Sequence, residues 1–331
     1  MNILVVRTDK LGDFITALPT CKVLKQHNPQ NRIVVCVAPL NESLALSCDF
    51  IDEVIVDDGK SSVFGLAKKL RDANIDVSIT LFSNTRVALA QFLAGIKKRI
   101  APATKIAQIF YTHRIKQRRS EVKMAEFEYN LELTKELFPS IDLHFEKPLL
   151  KFEDASKVYE VFCKEHKITK DIIAFHPGFG GSSDANWTIG EYIELVKTLL
   201  NSSSLHPKET SHINPYQVVM TFGPDEQTLY EYCKNALENE NVVFYISKDG
   251  LVNFAKLLSN FKLFISTSTG TYHLAALVGT PTMTFFGDSL FASSKRWKSV
   301  SDESMQKHYM IPQDEGKRAR MFEDVAKELS T

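Results

Sequence analysis

Apolar, β-branched runs alternate along this chain with segments whose apolar residues recur every three or four positions. In the first half, Ile3–Val6, Arg32–Val37, Glu53–Val56 and Val77–Thr80 read as strands, and Phe14–His27, Asn41–Cys48 and Val63–Asn74 as helices. Short links between them imply a doubly wound parallel sheet. A further helix is expected over Met124–Phe138, with Phe127, Leu131, Thr134 and Leu137 along one face. Pro139, Pro148 and the polar stretch Glu146–Lys157 then mark a passage between domains.

The second half restarts the theme. Ile172–Phe175 is an apolar strand feeding a Gly- and Ser-rich loop, His176–Asn186, and a helix from Gly190 to Leu200. Ser202–Pro215 is polar and irregular, as an exposed excursion would be. Strands at Gln217–Phe222, Val242–Tyr245 and Leu263–Ile265 alternate with helices at Asp225–Glu238 and Leu251–Ser259, and Arg318–Leu329 reads as a helix. The expected fold is α/β, two facing Rossmann-like domains with a cleft between them.

Two loops in this pattern carry candidate chemistry. After the strand that ends at Ile265, Ser266–Gly270 holds only small side chains just where a helix begins, and Gly279-Thr-Pro281 breaks that helix before a second strand, Thr282–Phe286. The first turn of a helix presents unpaired N–H groups and a partial positive charge, so it attracts phosphate, and His273 sits one turn further in. The alternative is an ordinary βαβ crossover capped by Ser or Thr. At the other end of the chain, Ile3–Val6 delivers Arg7-Thr-Asp-Lys-Leu-Gly-Asp13 to a strand-to-helix turn, where ligands of open α/β sheets bind. Asp13 there is either a reactive carboxylate or a helix-start residue favoured by the dipole.

Composition narrows the class. At 331 residues the chain exceeds one comfortable core, which favours two domains. Forty basic and forty acidic residues exclude nucleic-acid binding by bulk electrostatics. Five cysteines without paired spacing argue against a disulfide scaffold or zinc site and for a reducing compartment. The chain opens on a strand pattern, so no signal peptide is expected. Leu263–Gly287 is uncharged, but its three Gly and one Pro make it a buried sheet unit rather than a membrane span. Charge is uneven, however: from Arg86 to Lys123 there are ten Lys or Arg residues and one acid, Glu121, interleaved with Phe110, Tyr111 and Ile115. Such a segment is either a solvated loop or a face for an anionic acceptor and an acidic membrane.

Arg7-Thr-Asp-Lys-Leu-Gly-Asp13 with Ala17-Leu-Pro19, His176-Pro-Gly178 followed by Trp187, Gly223-Pro-Asp-Glu226, and Ser268-Thr-Gly-x-x-His-Leu-Ala275 with Gly279-Thr-Pro281 occur in that order. This resembles the family 9 glycosyltransferases, the heptosyltransferases of lipopolysaccharide core assembly, from Ile3 to about Gly287. The resemblance implies a GT-B fold, with an acceptor-binding domain over 1–155 and a nucleotide-sugar domain over 156–331 whose last helix packs back on the first domain. It also implies an inverting, metal-independent enzyme that needs no cofactor and moves a heptose from ADP-heptose to the anionic lipopolysaccharide inner core. The protein would be cytoplasmic, with peripheral contact at the inner membrane.

Inversion needs one base for the attacking hydroxyl, and Asp13 is that candidate; a leaving diphosphate needs no acid. The hydroxyls of Ser182 and Ser183 would add donors to a diphosphate. By resemblance, Glu226 would take the ribose, Thr269 and Gly270 the diphosphate, and His273 the sugar or phosphate end. Arg7, Lys10, Arg86 and Arg114 are the candidate acceptor-side cations. Two positions depart from the family pattern: Ser268 stands where most members have Asp, and Ala185 where most have Lys. Lys248, Lys10 or Arg296 would have to supply the missing cation. A transferase for another nucleotide sugar and a non-catalytic binding member therefore stay open. An epimerase on the same plan would show a pair of cleft carboxylates, and the sequence offers one strong candidate.

Overall fold

The computed structural model describes residues 1–178, 187–201 and 215–330. The chain forms two compact units, Met1–Leu150 with Lys298–Val300, and Lys151–Trp297 with Ser301–Thr331. The first unit's share of the chain thus ends five residues before the expected boundary, and it includes a short return segment no sequence pattern announced.

In chain order the first unit contains β1 (Asn2–Arg7), α1 (Leu11–Ile15), α2 (Leu18–His27), β2 (Arg32–Val37), α3 (Glu42–Leu46), β3 (Glu53–Val56), α4 (Val63–Asp72), β4 (Val77–Thr80), α5 (Thr85–Leu93), β5 (Lys98–Pro102), β6 (His113–Ile115) and α6 (Glu126–Glu132). All its strand pairs are parallel, in the order β3-β2-β1-β4-β5-β6. Ile3–Val6 and Ile33–Val37 are buried throughout, as strands covered on both faces must be.

The expected helix Phe14–His27 is broken in two. Pro19 stands in the first turn of α2, where its missing N–H is harmless, but it cannot continue a helix begun at Leu11. The expected Met124–Phe138 helix is likewise shorter, passing into a 3-10 turn at Leu133–Glu136. The strands β5 and β6 lie inside the basic segment, where charged side chains hid the strand pattern.

The second unit contains α7 (Ala155–His166), β7 (Asp171–His176), α8 (Ile189–Asn201), β8 (Tyr216–Phe222), α9 (Gln227–Ala236), β9 (Val242–Ile246), α10 (Gly250–Leu258), β10 (Leu263–Thr267), α11 (Gly270–Leu277), β11 (Thr282–Gly287), α12 (Ser294–Trp297), β12 (Gln306–Ile311) and α13 (Glu315–Ser330). Its sheet is again all parallel, in the order β12-β11-β10-β7-β8-β9. The excursion expected at Ser202–Pro215 lies outside the described residues except for Pro215.

In both sheets the chain builds outward from one central strand and then crosses to its other side. That switch falls between β1 and β4, where Val6 registers with Thr80, and between β7 and β10, where His176 registers with Ser266. Connections leave such a pair in opposite directions, which opens a crevice beyond the strands' carboxyl ends. The loops singled out from sequence follow β1 and β10.

Val325 and Ala326 of the last helix, α13, join the second unit's core with Trp187, Tyr192 and Phe285. Arg318 donates to both carboxylate oxygens of Glu191 in α8, each at 2.6 Å. The reason is its apolar stripe: Met321, Phe322, Val325 and Leu329 recur at helical spacing and meet that core. Val325→Asp would put an unpaired carboxylate there, so urea unfolding should show a loss of about 3–5 kcal/mol. Near-parental stability would place α13 outside the core.

Candidate active site

The first site is built around Arg7, the last residue of β1. Its side chain is 3% exposed, and its guanidinium reaches three carboxylates: Nε donates to Asp9 at 2.8 Å, Nη2 to Asp13 Oδ1, and Nη1 to Glu126 at 3.4 Å. Arg119 also pairs with Glu126. Two cations thus face three carboxylates, and the surplus negative charge lies at the carboxyl end of the central strand. Arg7 is not free to bind an acceptor, as the sequence reading had it; a buried guanidinium is costly unless every face is paired, and here it positions other groups.

Asp13 lies in α1 with its side chain 20% exposed. One oxygen is anchored by Arg7, and Oδ2 makes no hydrogen bond among the described residues. Its backbone carbonyl accepts from Thr16 Oγ1 at 2.7 Å, and Asn130 Nδ2 donates in turn to the Thr16 carbonyl and hydroxyl. The helix that carries Asp13 is thereby pinned to α6. Asp13 also lies near a second carboxylate that no spacing rule flagged. Burial raises the Asp9 carboxyl to about 6, opposed by Arg7 and reinforced by the Asp13 charge.

The other expected acceptor cations divide. Lys10 and Arg114 are exposed and make no ion pair among the described residues. Arg86 is committed elsewhere: it pairs with the buried Asp57 and donates to the Ser61 carbonyl at 2.5 Å. It thereby locks the start of α5 to the loop after β3.

The second site gathers loops that follow β7, β8 and β10, three adjacent strands. Glu226, at the carboxyl end of β8, accepts from the Gly223 N–H at 2.7 Å, and His176 Nε2 lies 4.0 Å from it. A Cβ on Gly178 would come within 2.0–2.4 Å of the Glu226 carboxylate, so only glycine leaves that group its place. His176 shares a hydrogen bond with Thr221 Oγ1 at 3.0 Å, and burial lowers its pKa against the opposing pull of Glu226.

Beside it, α11 begins at Gly270 with Thr269 as its N-cap residue, and no side chain caps its first N–H groups. The Thr269 and Thr271 hydroxyls bond each other at 2.8 Å instead. Eight helical residues thus point an uncapped amino end at the switch point. Ser268 is partly exposed and its N–H donates to the Phe285 carbonyl at 2.9 Å. His273 is buried in α11, and burial pulls its pKa down to about 3, so it is a neutral imidazole at pH 7. Its ring lies 6.4 Å from Trp297, on whose face Arg296 stacks at 4.9 Å, which brings a cation to this neighbourhood. Ser182, Ser183 and Ala185 lie outside the described residues, whereas Trp187 stacks in the core on Phe285 at 3.8 Å.

Two parallel six-stranded sheets with helices, each sending candidate loops to its switch point, form the α/β architecture of the GT-B glycosyltransferases. The model of glycosyltransferase family 9 (heptosyltransferase) matches residues 63–320, and the chain belongs to this family. A Haemophilus influenzae protein named "Putative glycosyltransferase" is 35% identical over 97% of this chain and 91% of its own length. Lipooligosaccharide heptosyltransferase 2 of Campylobacter jejuni is 23% identical over 87% of this chain and 82% of its own. Among solved structures, E. coli ADP-heptose lps heptosyltransferase II covers 100% of both chains with a TM-score of 0.77 at 18% identity, a likeness of fold.

Two opposite pH dependences are built into these sites. Asp9 ionises near 4 when unfolded and near 6 when folded, so its contribution is fully present below about pH 4 and lost as pH rises through 6. His273 carries the reverse sign: unfolded, it takes up a proton below about pH 6.5, so stability falls as pH drops from there. Urea unfolding from pH 4 to 7 should show Asp9→Asn removing the first slope and His273→Gln the second. Parental pH curves in both variants would refute these assignments.

Proposed function

We propose that this family 9 glycosyltransferase transfers a heptose from ADP-heptose to the inner core of lipopolysaccharide, with inversion. One observation carries the chemistry: Asp13 has one oxygen fixed by a buried arginine, and the other makes no hydrogen bond among the described residues. In a single displacement the acceptor hydroxyl attacks the anomeric carbon, its proton passes to Asp13 Oδ2, and the anomeric C–O bond breaks with its electrons leaving on ADP.

On the donor side, Glu226 would accept from the ribose hydroxyls, and the α11 N–H groups at Gly270 and Thr271 would take the diphosphate as charge builds on it. His273, being neutral, would act there as a hydrogen-bond group rather than a counter-ion. Arg296 is then the replacement for the cation lost at Ala185, because stacking on Phe291 at 3.8 Å and on Trp297 holds it beside α11. Lys10 and Arg114 would meet the anionic acceptor. The heptose reading draws support from the names of the Campylobacter and E. coli proteins. The five free cysteines suit a cytoplasmic site of action.

Asp9 beside Asp13 supplies the second carboxylate that an epimerase would need. An epimerase would convert a nucleotide sugar with no acceptor present; this protein should release ADP only when an acceptor is added. In a donor screen, Asp13→Asn should lower kcat by about 10²–10⁴-fold while the thermal shift with ADP stays parental. Parental turnover in that variant would remove Asp13 as the base, and a stronger shift with UDP or GDP than with ADP would overturn the heptose donor.

Gly178→Ala offers a separate test of the ribose contact. The new methyl should displace the flexible Glu226 side chain with little loss of stability but weaken ADP binding by about tenfold, roughly one hydrogen bond. Unchanged affinity by calorimetry would show that Glu226 does not touch the nucleotide.

A further inference from the structure

One row of the second sheet breaks the apolar rule of its neighbours. His176 on β7 registers with Ser266 on β10, Ser266 with Thr284 on β11, and Thr284 with His308 on β12, while Thr221 on β8 bonds His176 from the other side. Registered residues of parallel strands share a face, so these polar side chains cross the sheet in one line. The row two residues earlier begins with Val219, Ala174 and Phe264, which are apolar. Thr221, His176, Ser266 and Thr284 are all buried, and the hydroxyls of Ser266 and Thr284 make no hydrogen bond among the described residues. Burial of this kind costs stability, so packing does not account for the row. It meets the candidate nucleotide site at His176.

The His176 ring is fixed in place. It stacks on Phe264 with centroids 6.0 Å apart, and its Nδ1 lies 3.0 Å from Thr221 Oγ1. Burial lowers its pKa, so the ring is neutral at pH 7 and carries a single N–H. Nε2 is the nitrogen that faces Glu226, 4.0 Å from Oε2. A carboxylate opposite Nε2 favours the tautomer with the proton there, and Nδ1 then accepts from the Thr221 hydroxyl. The Phe175 carbonyl, at 3.4 Å, is the weaker partner for that hydroxyl. Across 4.0 Å the Nε2–H makes no hydrogen bond, but in a buried setting its dipole still attracts Oε2.

Oε2 also accepts from the Gly223 N–H at 2.7 Å, so both inward attractions act on one oxygen. Oε1 makes no hydrogen bond among the described residues and lies toward Gly178, where only glycine leaves it room. A glutamate side chain has several rotatable bonds, and a single hydrogen bond leaves its carboxylate free to swing. We propose that His176 is a positioning residue for nucleotide recognition: with Gly223 it draws Oε2 of Glu226 inward and leaves Oε1 turned to the ribose hydroxyls. The inference rests on the reading of Glu226 as the ribose contact and deepens it. Its effect is selective. A nucleotide without ribose hydroxyls gives Oε1 nothing to accept and gains nothing from the orientation, whereas a merely structural histidine would support every nucleotide alike.

Titration calorimetry with ADP and with 2′,3′-dideoxy-ADP tests this on the full chain, without any sugar donor. The parent should bind ADP more tightly than the dideoxy compound. His176→Phe should weaken ADP by about tenfold and bind dideoxy-ADP as the parent does. His176→Gln, whose amide supplies an N–H at the Nε2 position, should keep ADP within about threefold of the parent. Thr221→Val removes the Nδ1 partner and leaves the ring, so it should show the same selective loss to a smaller degree. Should the Phe variant not fold, parental ADP affinity in Thr221→Val overturns the proposal. Parental ADP affinity in His176→Phe, equal weakening of both nucleotides, or a Gln variant no better than the Phe variant would each do the same. A parent that binds the two nucleotides alike would instead remove Glu226 as the ribose contact, and the proposal with it.

Discussion

The buried guanidinium of Arg7 is the interaction on which the first site depends. It ends the central strand, is closed off from water, and is charged at every accessible pH, so its neighbours must arrange carboxylates around it. That demand fixes three acids at once and draws Glu126 and Arg119 from far along the chain. Asp13 gains a defined orientation from this arrangement rather than from its own five-residue helix, which is too short to be rigid by itself. The same cluster carries the opposing demand of too much negative charge, and Asp9 answers it by ionising only near pH 6.

The second unit meets its problem with dipoles instead of charges. An uncapped helix terminus, a neutral buried histidine and a carboxylate held by one backbone N–H stand at this switch point. Ser268, at the start of this turn, adds no charge of its own. Arg296, held by stacking on Phe291 and Trp297, brings a guanidinium to the neighbourhood of His273.

Much of this was legible from the chain because parallel strands buried on both faces leave uninterrupted apolar runs. Ile3–Val6, Arg32–Val37 and Ile172–Phe175 are such runs, and the loops after the first and the last of them are the ones expected from sequence to meet a ligand. What stayed hidden depends on contacts distant in sequence. Arg7 looked like an acceptor cation because nothing local shows that Glu126 closes over it. Glu226 was visible, but the close approach of Gly178 that shapes its pocket was not. The strands β5 and β6 were lost among lysines and arginines, and of the two only β6 is an edge strand, where charge is tolerated. The apolar periodicity runs across Pro19 and reads as one helix, but the proline starts a second one. The placement of α13 depended on which of two cores its apolar stripe would meet, and no periodicity distinguishes between them.

The most direct test is the kinetic behaviour of Arg7→Lys with whichever nucleotide sugar the parent protein turns over. A lysine keeps the charge but cannot fork toward three carboxylates, so Asp13 should lose its fixed orientation while the second unit is untouched. The account predicts a kcat lower by about 10²-fold with KM for the donor within about twofold of the parent. A variant that folds and transfers sugar at the parental kcat would contradict it.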